Sequence, residues 1–238
     1  MLAAATCAEP SDGVDEAGET DEPSPESPWP LPRTCAAPSG LGQPTTIDEV
    51  VTLVNALPKP TSLTCLLESL DRPLSIYAST STAGAQPATG PQNPRIFLFG
   101  GNLVMSVVPE GETSQTLELA QAIGERLSIK AELEFPVEQT LEPQAPYDQV
   151  NLGSGTSCGI CHGSETRVTE IDFAEVWASD VLQDEPEQSL SLSFLRQSAL
   201  TCDHAASPGR CEMLDAIFGH GEVDPGDLAR DALICRPI

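Results

Sequence analysis

Residues Leu127 to Val137 alternate without interruption. Leu127, Ile129, Ala131, Leu133 and Phe135 fall on one face, and Ser128, Lys130, Glu132 and Glu134 on the other. Strand side chains point to opposite sides with a period of two, so this pattern requires a sheet with one packed side and one polar side. A helix cannot bury such a sequence, because its apolar stripe repeats every three to four residues. The polar face of this strand is expected to meet solvent, which leaves Glu132 and Glu134 without a catalytic role.

The neighbouring segments extend the sheet. Leu74 to Ala78 reads as a strand. Arg95 to Phe99 and Asn102 to Val108 flank Gly100-Gly101, the signature of a hairpin with a glycine turn. Residues 74 to 137 therefore predict a small antiparallel unit. Upstream, Thr45, Thr46, Asp48 and Glu49 supply hydroxyl caps and first-turn acids to an apolar helix that ends at Pro58, and Thr61-Ser62 opens a second short helix through Leu70. Downstream, helices are expected at Asp172 to Leu182, Leu192 to Leu200 and Cys211 to Phe218. The fold class that follows is α+β: N-terminal helices, a small antiparallel sheet, then a mostly helical cysteine-rich C-terminal part. The expected divisions are 1–33, 34–150 and 151–238.

The first division is not expected to fold. Between residues 8 and 32, acids from Glu9 to Glu26 interleave with prolines from Pro10 to Pro32, and such a stretch buries too little apolar surface to offset its ordering entropy. Met1 to Cys7 reads as the tail of a signal peptide. Cys7 would then carry a lipid; an unmodified cysteine is the alternative. No apolar run approaches the roughly 18 residues that span a bilayer, so membrane contact is expected only through Cys7. Acids outnumber bases 36 to 11, for a formal charge of −25. That charge repels phosphate backbones, which excludes nucleic acid as a partner; it reads as a solvated face that aids solubility, with a docking surface for a basic protein partner as the alternative.

The chain holds eight cysteines, a number that fits an oxidising compartment. Cys202 and Cys211 enclose a short loop containing Pro208-Gly209 and are expected to pair. Cys35 and Cys65 would clamp the first helix to the second. A lipid on Cys7 and two cysteines assigned elsewhere would leave an odd thiol, Cys235.

Those two are Cys158 and Cys161, in Cys158-Gly159-Ile160-Cys161-His162. In a chain of this composition the five-residue pattern arises by chance in roughly 0.3% of cases. Two thiols at this spacing add to the two vinyl groups of haem, and the adjacent histidine supplies an axial nitrogen to the iron. Three other uses of the residues stay open: a simple disulfide, a redox pair, and a zinc site completed by a distant ligand. Met213 follows His162 at a separation cytochromes use for a second axial ligand, and His204 and His220 are alternatives. An open sixth position would favour small-ligand or peroxide chemistry over electron transfer. Phosphate loops, nucleophile elbows, zinc-protease motifs and calcium-loop patterns are absent from the sequence.

The segment Thr156 to Gly163 is similar to the haem-attachment segments of exported c-type cytochromes. More broadly, the acidic leader, the sheet unit and the late CxxCH resemble exported lipoproteins of predatory and social bacteria such as myxobacteria. The resemblance implies a monohaem c-type protein carrying haem c, in the periplasm or anchored at the outer membrane. Cys158 and Cys161 would be the thioether anchors, and His162 and Met213 the iron ligands. Its role would be one-electron transfer with a redox partner protein; an electron carrier or binding protein is expected rather than an enzyme. The rival expectation is a disulfide-stapled envelope lipoprotein with a binding or structural role and no cofactor.

Overall fold

The computed structural model describes residues 29–82, 84, 86–124, 126–163, 165–181 and 186–228. Cys7, Cys235 and most of the expected spacer lie outside these residues. Among the described residues the fold is α+β, built on one eight-stranded sheet.

Two helices open the fold. α1 (Ile47–Ala56) starts where Thr46 caps the Glu49 amide, and Glu49 reaches back to accept from the Thr45 amide at 2.6 Å. This reciprocal arrangement satisfies donors that the first turn leaves open. α2 (Leu63–Ser69) is capped by Ser62. A meander of five antiparallel strands follows: β1 (Leu74–Ser79), β2 (Arg95–Gly100), β3 (Leu103–Val107), β4 (Thr116–Ala122) and β5 (Leu127–Glu134). β4 carries no expectation from the sequence reading, although Leu117 and Leu119 alternate with Glu118 and Ala120 in the same manner as β5.

The C-terminal part departs from its mostly helical expectation. α3 (Ala145–Val150) and the single-turn α4 (Gly159–His162) lead into β6 (Thr166–Val168) and β7 (Val176–Asp180). β7 replaces the helix expected from Asp172 to Leu182. β5 offers an unpaired edge after β4, and β7 fills it antiparallel, with Leu127 opposite Asp180 and Ile129 opposite Ala178. Tertiary pairing thus overrides a local apolar pattern that also suits a helix. α5 (Leu192–Leu200) and α6 (Pro208–Phe218) form as expected, and β8 (Val223–Pro225) joins the far edge parallel to β1, giving the strand order β6-β7-β5-β4-β3-β2-β1-β8. Strands from both sides of residue 150 therefore share one sheet.

The core lies on one side of that sheet. Ile76, Leu98, Met105, Leu117, Ile129 and Leu133 point toward α1, α2 and α6, which contribute Val50, Leu53, Leu66, Leu67, Met213 and Ile217. Two disulfides reinforce this side, Cys35–Cys65 and Cys202–Cys211, both in the expected pairings. With sequence separations of 30 and 9, chain-entropy arguments assign them about 3–4 and about 2–3 kcal/mol respectively.

The N-terminal segment packs earlier than the sequence suggests. Trp29 stacks on Phe218 with ring centroids 6.2 Å apart, and the Leu31 amide donates to the Gly219 carbonyl at 2.7 Å. Glu68, on α2, accepts from the Cys35 amide at 2.8 Å and from the Thr34 amide and hydroxyl. Residues 29–33, placed in the spacer by their prolines, are part of the fold, because an aromatic ring offsets the ordering entropy that prolines and acids alone cannot. Trp29→Ala should lower unfolding free energy by about 2 kcal/mol. An unchanged midpoint in denaturant would show that this strap does not contribute.

Candidate functional site

The opposite side of the sheet is polar and partly covered. The pleat that sends Ile96, Met105, Leu117 and Ile129 to the core sends Arg95, Ser106, Glu118 and Lys130 the other way. One rung across neighbouring strands reads Tyr77, Phe97, Ser106, Glu118, Glu132. Arg95 donates from Nε and Nη2 to the Ser106 hydroxyl at 3.2 and 2.9 Å, pairs with Glu118, and lies 4.9 Å over the Phe97 ring. Ser106 donates to Gln86 Oε1 at 3.1 Å. Contrary to expectation, the polar face of β5 is not solvated throughout: Ser128 is 2% exposed and Lys130 5%. Glu134 is exposed, while Glu132 is half-buried in the wall of a cavity.

The cover over this face includes the CxxCH segment. After α3 the chain returns across the sheet, with Asn151 bridged to Thr156. The Glu165 carboxylate accepts from the Thr156 amide at 2.7 Å and from its hydroxyl, and that hydroxyl accepts from the Cys158 amide at 3.2 Å. A Cβ at Gly159 would sit 2.6 Å from the Glu165 carboxylate, so a larger residue there would make that side chain give way. Gly163 ends the turn at φ +80°, a conformation that favours glycine. Within the turn, the His162 amide donates to the Cys158 carbonyl at 3.0 Å, which places the histidine one helical turn from the first thiol.

His162 is held by its ring. Nδ1 lies 3.0 Å from the Asp180 carbonyl oxygen. A carbonyl only accepts, so Nδ1 carries the hydrogen. Burial, reinforced by the nearby Lys130 charge, pushes the imidazole down to about 4, so the ring is neutral at pH 7 and Nε2 keeps a free lone pair. The same carbonyl accepts from Lys130 Nζ at 3.1 Å. Burial also pushes Lys130 down to about 8 and Cys158 up to about 11. Glu132 is pushed up to about 7 by burial, with Glu118 and Glu134 adding to the effect.

Cys158, Cys161 and His162 line one cavity of about 450 Å³, together with Tyr77, Phe97, Val181 and Leu228 and the charged Arg95, Glu118, Glu132 and Asp180. The two thiols are not joined to each other; Cys158 is half-buried and Cys161 exposed. Among the described residues, no group of three or more His, Cys, Asp and Glu side chains is arranged to hold a metal ion.

Met213 is not brought to the motif. It is 2% exposed in the core on the helix-covered side of the sheet, because its position on α6 turns it toward that core. His204 pairs with Asp215 at 3.3 Å, and His220 Nδ1 lies 3.3 Å from the Leu31 carbonyl. The sequence reading found the motif but missed Arg95, Glu118, Lys130 and Asp180; only the alternation of β4 and β5 signalled Glu118 and Lys130 as sharing a face.

No family model matches the chain, and no similar curated protein or solved structure was found.

Two outcomes follow from this geometry. Iodoacetamide should alkylate Cys161 well before Cys158, whose thiol is half-buried and slow to ionise; equal rates by peptide mass analysis would contradict this. His162 also makes stability depend on pH. The unfolded imidazole titrates near 6.5 and the folded one near 4. Between these values the unfolded chain takes up a proton that the folded chain refuses, so this residue removes stability as pH falls through the window and contributes no slope above it. His162→Gln should therefore lose less stability than the parent between about pH 7 and about pH 4.5. Identical slopes would show the ring to be solvated.

Proposed function

We propose that this chain is an exported monohaem c-type protein, with Cys158 and Cys161 as thioether anchors and His162 Nε2 as the axial ligand. The observation that carries the reading is the hydrogen bond from His162 Nδ1 to the Asp180 carbonyl. It fixes the tautomer in which Nε2 is the coordinating atom, and second-shell bonds of this kind are how ligating histidines are oriented. The residues around it suit the group. Both thiols border the same cavity as the ring, as attachment along one edge of a macrocycle requires. Tyr77, Phe97, Val181 and Leu228 offer apolar surface for a flat aromatic body, and the volume lies in the range of cofactor sites.

Bound haem would supply one-electron redox chemistry and a site for a further iron ligand. This chain's own part is to hold, orient and shield. Asp180 fixes the imidazole plane. Lys130 donates to the same carbonyl and so withdraws electron density from the bond that orients His162. Glu165 braces the turn on which the thiols sit.

Export is supported by the two disulfides, which persist in oxidising compartments. Among the described residues no helix is long and apolar enough to cross a membrane; attachment at the outer membrane would run through a lipid on Cys7. The net charge of −25 suits a basic redox partner.

Co-expression with periplasmic haem-attachment machinery should give a red protein that keeps its haem through acid extraction and denaturing electrophoresis. Replacing both Cys158 and Cys161 by alanine should release it. A colourless parent under these conditions would overturn the haem reading and leave a disulfide-stapled envelope protein as the better account.

A further inference from the structure

Cys158 and Cys161 differ from the other cysteines among the described residues. Cys35–Cys65 and Cys202–Cys211 are bridged, whereas these two are separate thiols. They lie at i and i+3 of one turn, which the Cys161 and His162 amides close by donating to the Cys158 carbonyl at 3.1 and 3.0 Å. Side chains at that spacing share a face with Cβ atoms about 5–6 Å apart, close enough for a single ion to bridge their sulfurs. Both thiols border the cavity of about 450 Å³, and Cys161 is exposed at its edge, so an ion reaches the pair from solvent without any opening of the fold.

Thiolate sulfur is a soft donor and selects soft cations over magnesium or calcium. Zinc closes its shell with four donors, whereas a monovalent d10 ion such as Cu(I) is satisfied by two sulfurs in line. His162 is not counted as a further donor: the Asp180 carbonyl holds its ring, and among the described residues the three side chains do not converge on one point. The charges around the pair are mixed. Arg95 and Lys130 face Glu118, Asp180, Glu165 and Glu132, whose carboxyl burial pushes up to about 7 and so leaves partly protonated at neutral pH. The excess of acid draws a cation inward. Lys130, which borders a small void of about 30 Å³ with Cys158, offsets the negative charge that two thiolates leave around a monovalent ion.

We infer that Cys158 and Cys161, while they remain thiols, hold one soft monovalent cation of the Cu(I) class between their sulfurs. Each thiol releases its proton to solvent, two metal–sulfur bonds form, and no electron is transferred. The inference does not rest on the haem reading: thioether formation would consume both sulfurs, so the ion belongs to the chain before any such bond is made.

The probe is Cu(I), supplied as its acetonitrile complex with ascorbate under anaerobic conditions, to the full chain expressed without haem-attachment machinery. Competition with bicinchoninate reads the affinity. The parent should gain a sulfur-to-copper band in the ultraviolet, and bound Cu(I) should shield Cys158 and Cys161 together from iodoacetamide in peptide maps. X-ray absorption should show two sulfur neighbours and no imidazole. Cys158→Ser and Cys161→Ser should each weaken binding by about a hundredfold, because loss of either sulfur removes the chelate. The double variant measures any uptake at Cys7 or Cys235. Equimolar Zn(II) should not displace the ion. A parent that binds Cu(I) no better than the double variant, or that still alkylates at Cys161 when loaded, would overturn the inference. Displacement by Zn(II), or an imidazole neighbour in the absorption spectrum, would overturn it by assigning the turn to a site of more donors. The shielding and absorption measurements are made on the parent and need no variant to fold. A co-expressed protein that is red, with a thiol form that ignores Cu(I), would reject this inference alone; a colourless co-expressed protein whose thiol form binds Cu(I) would reject the haem reading alone.

Discussion

The pleat of the sheet divides the labour of the molecule. Each of β1 to β5 sends every second side chain into a core shared with α1, α2 and α6, and the others onto a face built for polar contacts. A shift of one residue in any pairing would exchange the two sets. The apolar side therefore fixes the register, and the register fixes which polar groups meet across the strands. Arg95, Ser106, Glu118 and Lys130 are neighbours because Ile96, Met105, Leu117 and Ile129 must be buried.

That polar face is costly to maintain. Lys130 is 5% exposed, and its nitrogen is satisfied by a hydroxyl and a carbonyl rather than by a paired carboxylate. Glu118 and Glu132 stand directly opposite each other on adjacent strands, a placement that disfavours the ionised pair. Burial dominates the shifts of Lys130, Glu132, Cys158 and His162 alike. A sheet face with no task beyond solubility would leave these groups to water. Covering them with the CxxCH segment trades stability for a shaped, partly covered surface, as functional sites commonly do.

Much of the fold was legible because its signals are local. The caps at Thr46 and Ser62, the glycine turn between β2 and β3 and the alternation of β5 all act within a few residues. What was not legible depended on distant partners. β7 is a strand because β5 leaves an edge beside it. Residues 29–33 are ordered because Trp29 finds Phe218. The motif itself was plain in the sequence, but its surroundings were not: Asp180 contributes a backbone carbonyl, to which side-chain identity gives no clue, and Met213 satisfied a spacing argument while the periodicity of α6 committed it to the core.

The strap from Trp29 to Cys35 has a mechanical consequence. It enters the fold through the Phe218 ring, the Gly219 carbonyl, the Glu68 carboxylate and the Cys65 sulfur. All of these belong to α2, α6 or the turn that follows α6, on the side of the sheet away from His162. A pull on the chain ahead of Trp29 is carried into the helical layer and a covalent crosslink, and the sheet stands between that load path and the turn bearing Cys158 and Cys161. A load applied at Trp29 would thereby be kept from the geometry of the cleft.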